Sequence, residues 1–128
     1  MTAIDIPTLL EQYAAAPPTD LYAATGPADD VFNQLAPDLA PLYWQVNIST
    51  RGLPTEIRGQ VPPGTDNTDA TTTLAAWAAN LSLPHTDRSL PGMLEYFDLR
   101  DGCYLVVWGI VDQERWTNEA RRIGVWSA

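Results

Sequence analysis

The chain has 128 residues, 45% of them apolar, and its 16 acidic side chains outnumber seven arginines to give a formal net charge of −9 at pH 7. Five tryptophans and five tyrosines supply enough apolar surface for a core, so global disorder is excluded despite eleven prolines. The charge argues against nucleic acid as a partner, because phosphate contacts require a concentration of cations.

Cysteine usage and the length of apolar runs indicate a cytoplasmic protein that makes no membrane contact. Cys103 is the only cysteine, so neither an intramolecular disulfide nor a thiolate metal cluster can form within one chain. The first residues carry no basic side chain and no long apolar run, so no secretory signal is expected. The longest apolar stretch, residues 103–111, is far too short to cross a bilayer.

The charges are distributed unevenly along the chain. The first fifty residues carry six carboxylates and no basic side chain, whereas the remainder has ten acids and all seven arginines. The chain contains no lysine, which together with abundant Ala, Pro, Asp and Gly indicates the codon bias of a high-GC bacterium or of a phage infecting one. We expect one domain, 1–128, with an acidic helical flank at 1–41 and a sheet-containing core at 42–128.

Short helices broken by proline are predicted for the flank. Pro7 suits a first helical turn, and a second helix is expected over residues 28–35. Between them, Asp20 is expected to cap a brief turn that ends at Gly26. The residues expected to face inward are Leu9, Leu10, Tyr13 and Ala14 in the first helix and Val31, Phe32 and Leu35 in the second.

A β-hairpin is predicted for residues 42–61. Residues 42, 44, 46 and 48 are apolar and alternate with more polar neighbours, which is typical of a half-buried strand. Ile57, Gly59 and Val61 are expected on one face of the second strand. A loop at 62–67 is followed by a helix over 70–81, with Asp69 as its N-cap. The apolar stripe of that helix comprises Leu74, Trp77, Ala78 and Leu81.

After a predicted loop at 83–92, residues 94–111 form the strongest pairing signal in the chain. Asp101 and Gly102 suit a type I′ turn, which places Leu99 opposite Tyr104 and Phe97 opposite Val106. The second strand is apolar on both faces, as expected for a central strand covered on each side. Helix 70–81 is one expected cover, and the N-terminal helices or a second subunit are alternatives for the other.

The last segment is predicted to be a helix capped by Asp112 and stopped at Gly124, with a strand over 121–127 as the alternative. Trp116, Ala120 and Ile123 share one side of this helix, and Arg115 and Glu119 are four residues apart, the spacing of a helical ion pair. The fold class is therefore α+β: short N-terminal helices and a mostly antiparallel sheet of four or more strands, the hairpins 42–61 and 94–111, with helix 70–81 packed on it.

No constellation of residues predicts a reaction, a metal site or a cofactor. His85 is expected in a solvated loop without a nucleophile beside it, and Cys103 is expected to act as a small apolar residue. Glu95 and Asp98 are three residues apart and should lie on opposite faces of a strand. The segment 66–69 lacks the glycine and the terminal glutamate of a calcium loop.

The leading hypothesis is a small, acidic, non-enzymatic protein-binding module, such as an inhibitor, an immunity-type protein or a viral accessory protein, that engages a basic protein partner. The predicted partner-binding residues are Asp20, Asp29, Asp30 and Asp38. An ordinary solubilising surface would explain the same carboxylates. The first alternative is a structural subunit that self-assembles into a homo-oligomer through strand 103–111, and the second is an enzyme with a carboxylate-based site.

Overall fold

The computed structural model describes residues 6–15, 27–48, 54–88 and 90–122. The fold is α+β, as predicted, with four helices and a five-stranded sheet. The elements in chain order are α1 (Ile6–Ala15), α2 (Pro27–Phe32) with a 3₁₀ turn at Asn33–Leu35, β1 (Tyr43–Asn47), β2 (Thr55–Gln60), α3 (Asn67–Leu81), β3 (His85–Asp87), β4 (Met93–Arg100), β5 (Cys103–Ile110) and α4 (Gln113–Arg122).

The strands are ordered β1-β2-β5-β4-β3 across the sheet. Every neighbouring pair is antiparallel except β2 and β5, which are parallel. The prediction of a mostly antiparallel sheet is therefore confirmed. The central position of β5, expected from its apolar sequence, is also confirmed, and both edges of β5 are paired.

The β4–β5 hairpin has the predicted register. Leu99 lies opposite Tyr104 and Phe97 lies opposite Val106. The turn residues Asp101 and Gly102 have φ angles of 51° and 76°, and two consecutive positive φ angles are what a type I′ turn requires. A two-residue turn of this kind determines the whole register, because each later pair follows from the first.

Helix α3 packs on one face of the sheet, which we call the covered face. Its predicted stripe is confirmed, since Leu74, Trp77, Ala78 and Leu81 are all buried. The helix begins earlier than expected. Asp66, and not Asp69, is its N-cap, because the Asp66 carboxylate accepts hydrogen bonds from the backbone N–H groups of residues 68 and 69.

The indole of Trp44 joins the N-terminal helices to the sheet on the covered face. Its ring centroid lies 5.7 Å from that of Phe32 in α2 and 5.6 Å from that of Trp77 in α3. A Cβ built on Gly59, the residue opposite Trp44 in β2, would lie 2.9 Å from atoms of the Trp44 ring. The ring therefore occupies the space that a side chain at residue 59 would need.

The N-terminal helices thus lie on the same face as α3, and the alternative that they cover the second face of the sheet is wrong. Leu9, Val31 and Phe32 belong to the same buried cluster as Leu42 and Trp77. Two details also differ from expectation. Ala14 is exposed while Ile6 is buried, and Ile48 is 70% exposed because β1 ends one residue before it.

The segment 83–92 is not entirely loop, because residues His85–Asp87 form the short edge strand β3 against β4. The C-terminal segment is helical, as favoured, and Asp112 accepts a hydrogen bond from the backbone N–H of Arg115. The predicted pair of Arg115 and Glu119 is replaced by a pair three residues apart, because Arg122 donates to Glu119. Ile123 and Gly124 lie outside the described residues.

Among the described residues, none of the helices combines the length and the apolarity needed to cross a bilayer.

We expect Gly59→Ala to lower the free energy of unfolding by about 1–3 kcal/mol, because the added methyl group overpacks the space held by Leu42 and Trp44. Urea unfolding followed by tryptophan fluorescence measures the change. Gln60→Ala, at the neighbouring half-buried position, is the control and should change stability by less than about 0.5 kcal/mol. Equal stability of the Gly59 variant and the parent chain would contradict this account of the Trp44 site.

Candidate functional site

The second face of the sheet, which we call the open face, is the candidate functional surface. Because side chains alternate along each strand, this face takes the residues that do not point toward α3. From β1 to β3 across the sheet they are Tyr43, Gln45 and Asn47; Glu56, Arg58 and Gln60; Tyr104, Val106, Trp108 and Ile110; Met93, Glu95, Phe97 and Leu99; and His85 and Asp87.

Apolar and aromatic side chains dominate the middle of the open face. The rings of His85, Phe97 and Tyr104 form a row across β3, β4 and β5, with centroid separations of 5.3 and 6.5 Å. Tyr43, Leu99 and Tyr104 are 49%, 52% and 37% exposed. Leu99 and Tyr104 lie directly opposite each other, whereas Tyr43 lies on the edge strand β1, beside Gln60 at the other end of the face. Large apolar groups that remain exposed on one face of a folded chain are typical of an interaction surface.

Arg58 lies at the centre of the open face. Its Nη2 is 2.6 Å from Oε1 of Glu95, and its Nη1 is 3.3 Å from Oε2 of Glu56. The guanidinium carbon lies 5.6 Å from the centroid of the Trp108 ring, within the range of a cation–π contact. Since β5 separates β2 from β4, the side chain must pass over β5 beside Val106, which is only 4% exposed.

This ion pair is half-buried, with 23% of the Arg58 side chain and 15% of the Glu95 side chain exposed. Partial desolvation offsets much of the attraction in such a pair, so its net contribution to stability is small. Its geometric effect is larger, because it holds the guanidinium between the carboxylates of Glu56 and Glu95 and near the ring of Trp108.

A groove of about 250 Å³ lies at the end of the open face. Its lining includes Trp108 and Ile110 of β5, Trp116 of α4 and the turn around Pro63. Helix α4 is seated by two hydrogen bonds near its start: Asp112 N–H donates to the Gly92 carbonyl at 3.2 Å and Gln113 N–H donates to Asn67 Oδ1 at 3.0 Å. These two hydrogen bonds hold the start of α4 beside the sheet and thereby place Trp116 at the groove.

The open face is negatively charged. Glu56, Glu95 and Asp87 contribute three carboxylates against the single guanidinium of Arg58, which leaves −2 when His85 is neutral. Carboxylates beside aromatic rings attract cations and repel phosphate. The arrangement therefore suits a cationic partner.

The four carboxylates predicted to bind a partner are not equivalent. Asp20 lies outside the described residues. Asp30 and Asp38 are exposed, whereas Asp29 is half-buried and its carboxylate accepts a hydrogen bond from the backbone N–H of Trp44. That contact gives Asp29 a role in the fold.

Asn33 completes this contact at the outer edge of β1. Its Oδ1 accepts hydrogen bonds from the backbone N–H of Leu42 and from the indole N–H of Trp44, both at 2.9 Å, and its Nδ2 donates to the Leu42 carbonyl at 3.0 Å. Side chains from α2 and the 3₁₀ turn thus occupy part of an edge that another strand would otherwise be able to pair with.

The remaining chemical candidates have structural environments. Cys103 is buried, and burial followed by the charge of Asp101 raises the pKa of its thiol, which disfavours the reactive thiolate. Asp98 pairs with Arg100 at 3.0 Å on the face opposite Glu95, as the spacing predicted. His85 of β3 is exposed, and its ring centroid lies 5.3 Å from that of Phe97 in β4. The described part of the chain contains no group of three His, Cys, Asp or Glu side chains placed to hold a metal.

The arginines near the C-terminus are interleaved with acids. Arg122 donates to Glu119 with its Nε at 3.0 Å, and this hydrogen bond lowers the pKa of the Glu119 carboxyl.

Comparison of the chain with family models, with curated proteins and with solved structures finds no match. The open face itself is therefore the basis for inferring the function.

Sequence reasoning did not identify the open face as a site. The signal was present in the predicted register, which placed Phe97 beside Val106 and Leu99 beside Tyr104 on one side of the hairpin. We did not interpret this signal as a site, because we expected both faces of the strand 103–111 to be covered. Val106 is 4% exposed on this face, and the Arg58 side chain passes over β5 beside it.

We expect Asp29→Ala to lower the free energy of unfolding by about 1–3 kcal/mol, because the Trp44 N–H loses its acceptor. Asp30→Ala removes an exposed carboxylate from the next position of the same helix and should change stability by less than about 0.5 kcal/mol. Chemical denaturation of the two variants measures the difference. Indistinguishable stabilities would contradict a structural role for Asp29.

Proposed function

We propose that this protein is a non-enzymatic binding module that engages a basic protein partner through the open face of its sheet. The observation that carries the proposal is the exposure of Tyr43, Leu99 and Tyr104 on a face that also presents the carboxylates of Glu56 and Glu95. Large rigid aromatic side chains contribute most of the energy in protein interfaces, and surrounding charges select the partner.

The acidic flank supports the same proposal. Among the described residues from 6 to 48, every formally charged side chain is a carboxylate, and Glu11, Asp30 and Asp38 are exposed. A surface of one sign attracts a partner of the opposite sign over a distance of about 8 Å at physiological ionic strength. The flank would therefore accelerate the encounter, while the open face provides the contact.

Self-assembly is the competing proposal, and the fold restricts how it would occur. Both edges of β5 are paired, with β2 and with β4, so strand 103–111 has no edge for a second copy. A homo-oligomer formed through this strand would have to bury Tyr104 and its exposed neighbours on the open face against a second copy. Size-exclusion chromatography with light scattering tests this, and a monomer at high protein concentration would exclude it.

We expect Leu99→Ser combined with Tyr104→Ser to weaken partner binding by at least about tenfold, because burying each such side chain contributes about 1.5–3 kcal/mol. The measurement is the amount of partner retained from a lysate of the encoding organism by immobilised protein, parent against variant. Melting temperatures of both proteins verify that the variant is folded.

Ile48→Ser is the matched control, because it also removes an exposed apolar side chain but lies beyond β1 and outside the open face. Equal retention by the parent chain, the double variant and the Ile48 variant would refute the open face as the binding surface.

We expect Asp30→Asn combined with Asp38→Asn to slow association with the captured partner by several-fold at low salt, since these exposed carboxylates lose their long-range attraction. The effect should vanish near 1 M salt, where screening reduces the range to about 3 Å. Surface plasmon resonance at the two salt concentrations measures the rate. Asp69→Asn with Glu114→Gln changes the net charge equally at other exposed positions and is the control. An equal effect of both pairs would show that net charge alone matters.

A further inference from the structure

We propose that the occupant of the open face is a short basic segment of the partner. It inserts one large apolar side chain into the groove between Trp108 and Trp116 and places a guanidinium or ammonium group beside Glu56. The assignment rests on the proposed function and specifies the chemistry of the partner at the same site.

The size of the groove determines what it can take. Ligand pockets for cofactors and drug-sized molecules span about 300–1,000 Å³. The groove, at about 250 Å³, is smaller and is open along one side. Its lining includes Trp108, Ile110 and Trp116, which suit an apolar side chain more than a polar one. The volume is sufficient to admit one large amino-acid side chain from the open face.

The charge of the face determines what accompanies the apolar side chain. Arg58 already shows that a guanidinium fits here, since it lies over Trp108 and contacts two carboxylates. Glu95 is the closer partner at 2.6 Å and is only 15% exposed. Glu56 is 39% exposed and its contact with Arg58 is longer, at 3.3 Å. Glu56 is therefore the carboxylate with room for a second cation.

The distance between these two subsites sets the spacing of the segment. Gln60, which lines the groove, and Glu56 lie four residues apart on β2 and face the same side. Four residues of strand span about 13 Å. An extended segment that runs along β2 would therefore carry its cation about four residues from its apolar side chain.

The charge of the face favours a basic segment over a second copy of this chain. Two open faces packed together would bring the −2 charge of one against the same charge of the other, which is unfavourable. Five strands spaced about 4.8 Å apart, with the longest strands about 26 Å long, cover roughly 500 Å² in projection, which is enough for a segment of several residues.

The test uses the full ¹⁵N-labelled protein and a synthetic capped peptide, Phe-Gly-Ser-Gly-Arg, whose apolar and basic residues have the required spacing. Two further peptides replace its phenylalanine with alanine or its arginine with glutamate. NMR spectra follow the indole N–H signals of Trp108 and Trp116, assigned with the Trp108→Phe and Trp116→Phe variants. We expect saturable shifts of both signals, with a dissociation constant of about 1 mM.

The glutamate peptide and the Glu56→Gln variant should each weaken binding by about tenfold, and the alanine peptide should weaken it at least as much. Asp30→Asn, on the acidic flank, is the control and should bind the peptide normally. Binding that is insensitive to Glu56→Gln, or to loss of the phenylalanine, would overturn the assignment.

Two results separate this assignment from the proposed function. If the peptide fails to bind while Leu99→Ser with Tyr104→Ser still abolishes partner retention, the partner presents a folded surface and the segment is refuted, but the function stands. If light scattering instead shows a dimer that the same double variant dissolves, the occupant is a second copy and both proposals fail.

Discussion

The contact between Trp44 and the bare backbone of Gly59 is the constraint on which the fold depends. It allows an indole to lie close against the backbone of β2, where the ring also contacts Phe32 and Trp77. The N-terminal helices, α3 and the β1–β2 hairpin therefore share one core. The N-terminal helices and α3 lie on the same face of the sheet, and Tyr43, Leu99 and Tyr104 remain exposed on the opposite face.

The elements that depend on local chemistry were predictable from the sequence. Asp101 and Gly102 specify the turn that determines the β4–β5 register, and the stripe of α3 follows from helical periodicity. Features that depend on distant partners were not predictable. The three residues of β3 have no strand pattern of their own and pair only because β4 lies beside them. Asp66 and Asp69 are both plausible caps by residue type, and only the folded start of α3 distinguishes them.

The candidate site was likewise predictable only where local chemistry determines it. The sequence predicted which side chains share each face of the hairpin, but an apolar central strand does not reveal whether its second face is covered. Arg58 reaches over β5 from β2 because the two strands are parallel neighbours, a pairing with no local signal. Likewise, composition marked Asp29 and Asp30 as equal members of an acidic run. Asp29 is half-buried and accepts a hydrogen bond from the Trp44 backbone, so it is part of the fold, whereas Asp30 is exposed at the surface.

The side chains of Asp29 and Asn33 on the edge of β1 have a consequence for any attempt to shorten the protein. Composition changes near residue 41, and a cut there would leave a sheet-containing fragment with fewer acidic residues. Such a fragment would lose the groups that hydrogen-bond to Leu42 and Trp44 and would present a bare strand edge to its neighbours in solution. The boundary of the folding unit therefore lies upstream of the change in composition, because residues before 41 complete the edge of the sheet.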